Sequence, residues 1–266
     1  MNKSVTLNPF FLYEQSVQTT ADVDYLLEMA ITVMGRVPLS LREDFCGTHL
    51  FAREYVKRDP RFKAIGLDLD PLSIKYGTSQ AKKDLTPEER KRLKIYKKNV
   101  ISVTKPKSDW IVACNFSFYI FHERDTLVEY FKKAHQSLTK DGIFMLELGG
   151  GSGFLERLTD RRVFKVSQTQ KVTYLWHQLD FNPVKRQGHY AISFKVNDVL
   201  KYKHAFKYDW RVWTIPEVRD VLKDAGFSRS VVLVEKAAKG RSSEGYEISE
   251  EGDHDHSWIS YVVGIR

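Results

Sequence analysis

The sequence has little of what marks secreted or membrane-spanning proteins. Its 266 residues include only two cysteines, Cys46 and Cys114, so a disulfide framework is not expected and a reducing compartment is. No run approaches the roughly 18 consecutive apolar residues that a membrane span requires. The N-terminal stretch MNKSVTLNPFFLYEQ has no sustained apolar segment of the kind found in signal peptides. We therefore expect a cytoplasmic protein with no membrane partner.

Internal repeats, low-complexity segments and blocks of five or six like charges are also missing. The formal net charge is +8, and such a basic balance favours anionic partners without identifying one. Nucleic acid therefore stays possible as a partner. Hydrophobic residues make up 42% of the chain and aromatic residues 13%, which is enough for a folded core.

The stretch DHDH at 253–256 holds the only closely spaced group of metal-ligand residue types that attracts attention. It lies in a long polar loop without neighbours that would orient its ligands. We expect no metal site.

Apolar strands and amphipathic helices alternate over most of the chain. The pattern predicts a helix from Ala21 to Met34, followed by alternating strands and helices up to Leu148. Asp70, Thr86 and Thr214 each precede a proline or an isoleucine–proline pair and are predicted N-caps. Strand–helix–strand alternation with short connections predicts an α/β fold with a doubly wound, parallel sheet.

The pattern changes after the glycine-rich stretch 149–153. Three alternating segments follow, and they predict a small antiparallel sheet inserted after the fifth strand. We expect one domain over residues 1–266, with an N-terminal helical lid segment at 1–38 and an inserted β subdomain at 154–213. A helix after Thr214 and two final strands complete the chain.

The turn after the first predicted strand, LREDFCGTHLFAREYV at 41–56, is the default ligand site of such a sheet. It has a single glycine, Gly47, and neither G-x-G-x-x-G nor the lysine of a P-loop, so a ligand held by its phosphates is disfavoured. Asp68 follows Asp44 by 24 positions, close to the roughly 20-residue offset at which an acid meets a ribose. Asp70 is explained as a helix cap. The pattern favours a nucleoside without phosphates, such as the adenosine of S-adenosylmethionine (SAM).

The motifs and their order resemble class I SAM-dependent methyltransferases over roughly Tyr13 to Arg266. EDFCGTHL resembles the first motif of that family, AIGLDLDP the second, ACNFSFYIF the fourth-strand motif, and LTKDGIFMLEL the segment before strand five. Together with LYEQSVQ and YDWRVWTIPE they resemble a bacterial group of such enzymes with an unknown substrate. The resemblance implies a Rossmann-like, seven-stranded, mostly parallel sheet with an antiparallel last strand. It also implies SAM as cofactor, held by Tyr13, Arg42, Asp44, Cys46, Gly47, Thr48, Asp68, Leu69, Asn99, Val100 and Asn115.

Three positions depart from the family pattern. His49 stands where the last glycine of the turn is usual, one glycine before Cys46 is missing, and Asn99 replaces a usual aspartate. Two of the implied contacts have simpler alternatives: Tyr13 can be a core residue rather than part of a lid, and Arg42 can pair with Glu43 rather than with the methionyl carboxylate.

Methyl transfer is an in-line displacement in which the protein mainly aligns the acceptor and excludes water. A general base helps only when the acceptor still carries a proton. Tyr119 and His122 are the candidate catalytic residues, with a surface position as the alternative for His122. The candidate substrate residues are Glu147, Trp176, Trp210 and Arg211, although the aromatic side chains can equally form the core of the insertion.

These observations leave three functions open. The first is a methyltransferase acting on N or O of a small molecule, with the insertion as substrate lid. The second is an RNA or protein methyltransferase that uses the basic surface. The third is a non-catalytic SAM-binding protein, since fold alone does not establish activity.

Overall fold

The computed structural model describes residues 7–17, 20–236, 245–252 and 255–266. Asp253 and His254 of the DHDH stretch lie outside this part. The helices are α1 Pro9–Ser16, α2 Thr20–Met34, α3 Leu50–Arg58, α4 Pro71–Asp84, α5 Pro87–Lys91, α6 Arg124–Ser137 and α7 Ile215–Asp224. The strands are β1 Ser40–Asp44, β2 Lys63–Asp68, β3 Leu93–Lys97, β4 Ser108–Ala113, β5 Leu138–Gly150, β6 Leu158–Lys165, β7 Lys171–Asn182, β8 Gln187–Val196, β9 Val199–Arg211, β10 Arg229–Glu235, β11 Tyr246–Ile248 and β12 Trp258–Ile265.

The main sheet has the strand order β11-β10-β12-β5-β4-β1-β2-β3. Strands β1 to β5 pair in parallel, and β12 runs antiparallel between β5 and β10. The expected mostly parallel sheet with an antiparallel last strand is confirmed. The three-residue strand β11 extends it by one edge strand, which pairs antiparallel with β10.

The central strands are apolar because helices cover both faces of the sheet. In β4 the side chains of Trp110, Ile111 and Val112 are fully buried. The predicted helix caps are also present: Asp70 accepts hydrogen bonds from Leu72 N and Ser73 N, and Thr86 and Thr214 each form a capping box with a glutamate. Local sequence signals therefore fix where these helices begin.

The insertion forms a separate antiparallel sheet in the order β6-β7-β8-β9. Its inner face contributes aromatic side chains such as Tyr190 and Trp210 to the core of the main domain. The sequence predicted three strands, and the structure adds β6. That strand escapes notice because nearly all of its residues are exposed or half-buried, which leaves no clear apolar alternation.

Helix α1 lies within the N-terminal segment expected to be helical, and it packs between helix α4 and the inserted sheet. Asn8 caps it by accepting a hydrogen bond from Phe11 N, and Pro9 occupies its first position. Phe10 lies between Tyr76 of α4 and Phe206 of β9. No helix in the described ranges is long and apolar enough to cross a membrane.

Candidate functional site

Three left-handed residues shape the turn between β1 and α3. Phe45, Gly47 and His49 have φ of 54°, 51° and 48°, a conformation that glycine adopts at least cost. The turn thus has the alternating backbone of a three-glycine loop with a glycine at one position only. At the two positions of this turn that depart from the family pattern, Phe45 and His49 adopt the conformation that glycine would favour.

Asp68 ends β2 directly beside this turn. Its Oδ2 accepts a hydrogen bond from Gly47 N at 2.7 Å, and its Oδ1 accepts one from Asp70 N at 2.8 Å. The carboxylate forms no ion pair with any residue that the structure describes. It keeps acceptor capacity for hydroxyl groups of a ligand, since each carboxylate oxygen can accept more than one hydrogen bond.

The space above the turn is open. Apart from Gly47 itself and its two chain neighbours, no heavy atom of the described residues lies within 4 Å of the position that a Cβ at Gly47 would take. Leu69 is an apolar side chain with 57% of its surface exposed, and Asn99, also exposed, uses its Oδ1 to accept a hydrogen bond from Ile101 N. An open cradle, a carboxylate and an exposed apolar side chain fit an adenosine moiety without phosphates.

Arg42 and Asp44, both expected to contact the cofactor, lie in the interior. Their side chains have no exposed surface and pair through Nε and Oδ1 at 2.6 Å. The remaining donors of Arg42 are bound by Asp44, Ser137 and the carbonyl groups of Val100 and Ser102. Tyr130 donates to Asp44 at 2.9 Å. The pair therefore holds the segment around Val100 in place, and its polar atoms are already hydrogen-bonded within the protein.

Glu43, not Asp44, is the acid that faces the turn and helix α3. Its Oε2 accepts a hydrogen bond from Ala52 N at 2.9 Å, and burial raises its pKa to about 8. Sequence reasoning missed this residue. The sequence holds no signal that separates it from Asp44, because neighbouring residues of a strand point to opposite faces.

Cys46, Thr48 and His49 are buried under the turn. A Cβ at Gly66 of β2 would lie 2.8 Å from the Cys46 sulfur, and a Cβ at Gly77 of α4 would overlap the carbonyl group of Thr48. Burial, with Arg53 nearby, lowers the pKa of His49 to about 3. A contact of Cys46 or Thr48 with a ligand must therefore use backbone atoms.

A cavity of about 740 Å³ opens beside the carboxyl ends of β4 and β5. Its walls come from α1, from the β4 and β5 ends, from the inner face of the insertion and from the start of β12. Five of the predicted site residues line it: Tyr13, Asn115, Glu147, Trp176 and Trp210.

Glu147 lies at the base of this cavity with 9% of its surface exposed. Its Oε2 accepts a hydrogen bond from Asn115 N at 2.8 Å, and Asn115 is left-handed with φ of 57°. Burial raises the pKa of Tyr13, and the proximity of Tyr174 and Glu147 adds to that shift. The ends of β4 and β5 and helix α1 therefore lie around the Glu147 carboxylate.

Three predicted site residues do not line this cavity: Tyr119, His122 and Arg211. Tyr119 is fully buried and donates to the carbonyl of Gly149 at 2.9 Å, so its hydroxyl is held in the core and its catalytic role stays a prediction.

His122 and Arg211 do not line the cavity. His122 Nε2 lies 2.9 Å from the carbonyl oxygen of Asp209, while Arg211 binds Glu217 and stacks on Trp213 at 3.6 Å. These two side chains join the insertion to the main domain, and their catalytic and substrate roles stay predictions.

No protein-family model matches the sequence, and no curated protein matches it. Solved structures do match the fold over nearly the whole chain. DesVI from Streptomyces venezuelae has a TM-score of 0.70 at 13% identity and covers 96% of this chain and 94% of its own.

Two other structures are methyltransferases by name. The sugar N-methyltransferase KedS8 from Streptoalloteichus sp ATCC 53650 has a TM-score of 0.67 at 13% identity, with 100% of this chain and 95% of its own covered. A SAM-bound amino pentose methyltransferase from Micromonospora echinaspora, involved in calicheamicin biosynthesis, has a TM-score of 0.68 at 11% identity, with 99% and 100% covered. At these identities the similarity shows the fold alone, which this chain shares with the sugar N-methyltransferase and the amino pentose methyltransferase.

Proposed function

We propose that this protein is a SAM-dependent methyltransferase that acts on N or O of a small molecule. The observation that carries the proposal is the hydrogen bond between Asp68 and Gly47 under an open cradle. This hydrogen bond lies at the same edge of the main sheet as the cavity of about 740 Å³, which is lined by polar and aromatic side chains. The fold shared with the methyltransferases above supports this combination.

The cradle residues would bind the cofactor through its nucleoside. Asp68 would accept hydrogen bonds from the ribose hydroxyls, Leu69 would pack on the adenine, and Asn99 would lie at its polar edge. The backbone at Gly47 leaves room for the ligand since no side chain projects from it. When bound, SAM supplies a methyl group on a positively charged sulfur, and no phosphate-binding loop is required.

The cavity would align the acceptor and exclude water. Tyr13 of α1 and the inner face of the insertion close it on the side away from the sheet. A cavity of about 740 Å³ is within the range typical of small-molecule sites. A concave site of this size, lined by aromatic and a few polar side chains, favours a small acceptor over the alternative of RNA or protein.

Calorimetry with SAM and with its demethylated product tests the cofactor part of the proposal. We expect 1:1 binding of both. Methyl transfer from radiolabelled SAM to a metabolite panel then tests for activity. Binding without any turnover would indicate the non-catalytic alternative, and RNA binding with a steep salt dependence would indicate a macromolecular partner.

A further inference from the structure

The acceptor cavity is acidic in a protein with a net charge of +8. Three carboxylates line it, from Glu147, Asp160 and Glu235, against the cations of Arg162 and, when protonated, His256. Arg162 already lies over the Tyr174 ring at 4.6 Å, and His256 lies 3.2 Å from Glu156. The cavity therefore favours a positively charged ligand.

Its aromatic walls point to the same ligand charge. The Trp210 ring has centroid distances of 4.4 Å to Tyr208 and 5.9 Å to Trp176, and Phe116 meets it edge-on at 6.0 Å. Grouped aromatic faces attract ammonium groups through their ring quadrupoles, most strongly where water is excluded. The same faces bury the apolar body of a ligand.

Glu147 is the acid best placed to hold the reacting group. It is the most buried of the three carboxylates, and the Asn115 N–H fixes one of its oxygens. It also lies at the carboxyl end of β5, next to the strand ends that border the proposed cofactor cradle. Asp160 and Glu235 lie on the outer walls, in β6 and at the end of β10.

We infer that the methyl acceptor is an amine that enters this cavity as a cation, and that Glu147 selects it. This inference rests on the proposed function and chooses nitrogen over oxygen as the acceptor atom. The aromatic walls hold the carbon skeleton of the amine, and the Glu147 carboxylate binds its ammonium group.

The proton balance follows from this placement. The bound ammonium gives one proton to the Glu147 carboxylate, which leaves a neutral amine with a free electron pair. That pair forms the new N–C bond while the bond between the methyl carbon and sulfur breaks, with its electrons remaining on sulfur. The methylated product leaves as a cation, and Glu147 releases its proton to solvent.

A binding experiment tests the charge preference without any reaction. Benzyltrimethylammonium carries a permanent positive charge, and (2,2-dimethylpropyl)benzene, in which carbon replaces the nitrogen, is its neutral analogue of the same shape. We expect calorimetry to show binding of the cation at least about tenfold tighter than that of the neutral compound, whether or not SAM binds. Equal binding, or no measurable binding of the cation, would overturn the inference.

A turnover experiment tests the acceptor atom and Glu147. Primary amines and alcohols of matched skeleton, such as 2-phenylethylamine and 2-phenylethanol, are offered with radiolabelled SAM. We expect methylation of the amine only, and a loss in kcat/KM of about 100-fold in Glu147→Gln, which keeps an oxygen for the Asn115 N–H. Affinity for SAM should stay within twofold of the wild type.

Glu129→Gln is the matched control, since Glu129 is exposed on α6 and outside the cavity. It should leave both the rate and the cation affinity unchanged. Methylation of the alcohols, or full activity of Glu147→Gln, would contradict the inference while leaving the methyltransferase proposal intact. Loss of SAM binding in the wild type would instead contradict that proposal.

Discussion

The Asp68 carboxylate accepts a hydrogen bond from the backbone N–H of Gly47 at 2.7 Å. This bond ties the end of β2 to the turn after β1, and it orients the carboxylate toward the open cradle. Asp70, two residues later, uses both of its oxygens to cap α4. The two neighbouring acids therefore have different roles, which mutation can separate.

Asp68→Ala should weaken SAM binding by about 10- to 100-fold, because hydrogen bonds to a charged group contribute about 1.5–3 kcal/mol. Asp70→Ala is the matched control. It should lower the free energy of unfolding by about 1 kcal/mol through loss of the cap and leave the SAM affinity within about twofold. Calorimetry and urea denaturation measure the two effects, and equal losses of affinity would contradict the assignment.

The stability of the protein should depend on pH through Glu43 and His49. The folded pKa of Glu43 is raised to about 8, so its contribution to stability is complete below its unfolded value near 4.3 and is lost as pH rises through 8. The folded pKa of His49 is lowered to about 3, so stability rises with pH between about 3 and 6.5. The two effects oppose each other from about pH 4.5 to 6.5.

Above pH 6.5 only the Glu43 effect of this pair remains. The free energy of unfolding should then fall by up to about 1.4 kcal/mol per pH unit until pH 8. Urea denaturation at half-unit steps measures this slope. Glu43→Gln should remove it, whereas Glu129→Gln, at an exposed position, should not. An unchanged slope in Glu43→Gln would show that Glu43 is already ionised in the folded protein.

Gly77→Ala should destabilise the protein although alanine is the better helix former by about 1 kcal/mol. A Cβ at this position would overlap Thr48 and His49, and α4 would have to move away from the turn between β1 and α3. We expect a lower melting temperature together with weaker SAM binding. Ser79→Ala, at an exposed position of the same helix, should change neither, and a stabilised Gly77→Ala would rule out the close approach.

Tyr119→Phe and His122→Ala should both keep methyltransferase activity within about threefold. Tyr119→Phe removes the hydrogen bond to Gly149 and should lower the free energy of unfolding by about 1 kcal/mol. His122→Ala removes a contact outside the cavity. Steady-state rates with the identified acceptor measure both, and a loss above about 100-fold in either would support a catalytic role.

The main architecture could be predicted because its signals are local. Continuous apolar strands, helical periodicity and caps such as Asp70 and Thr214 appear in the sequence itself. Helix α1 has only eight residues and no clear apolar face, and β6 is mostly exposed. Both depend on tertiary contacts, so neither has a strong local signal.

The direction of individual side chains was the main source of error at the site. Neighbouring residues of a strand point to opposite faces, and the sequence alone does not tell which face Glu43 or Asp44 takes. The structure turns Glu43 toward α3 and Asp44 toward α6. Tyr119 lies in the segment after β4 that the sequence singled out, but its side chain points into the core. The sequence alone does not tell this direction either.

Strand β12 pairs with β5 along eight residues and with β10 on its other side. Since synthesis is vectorial, both neighbours are synthesised before this strand. Until residues 258–265 have been made, β5 and β10 each have one unpaired edge. The sheet is complete only after that. Removal of this segment would split the sheet between β5 and β10 rather than trim its edge.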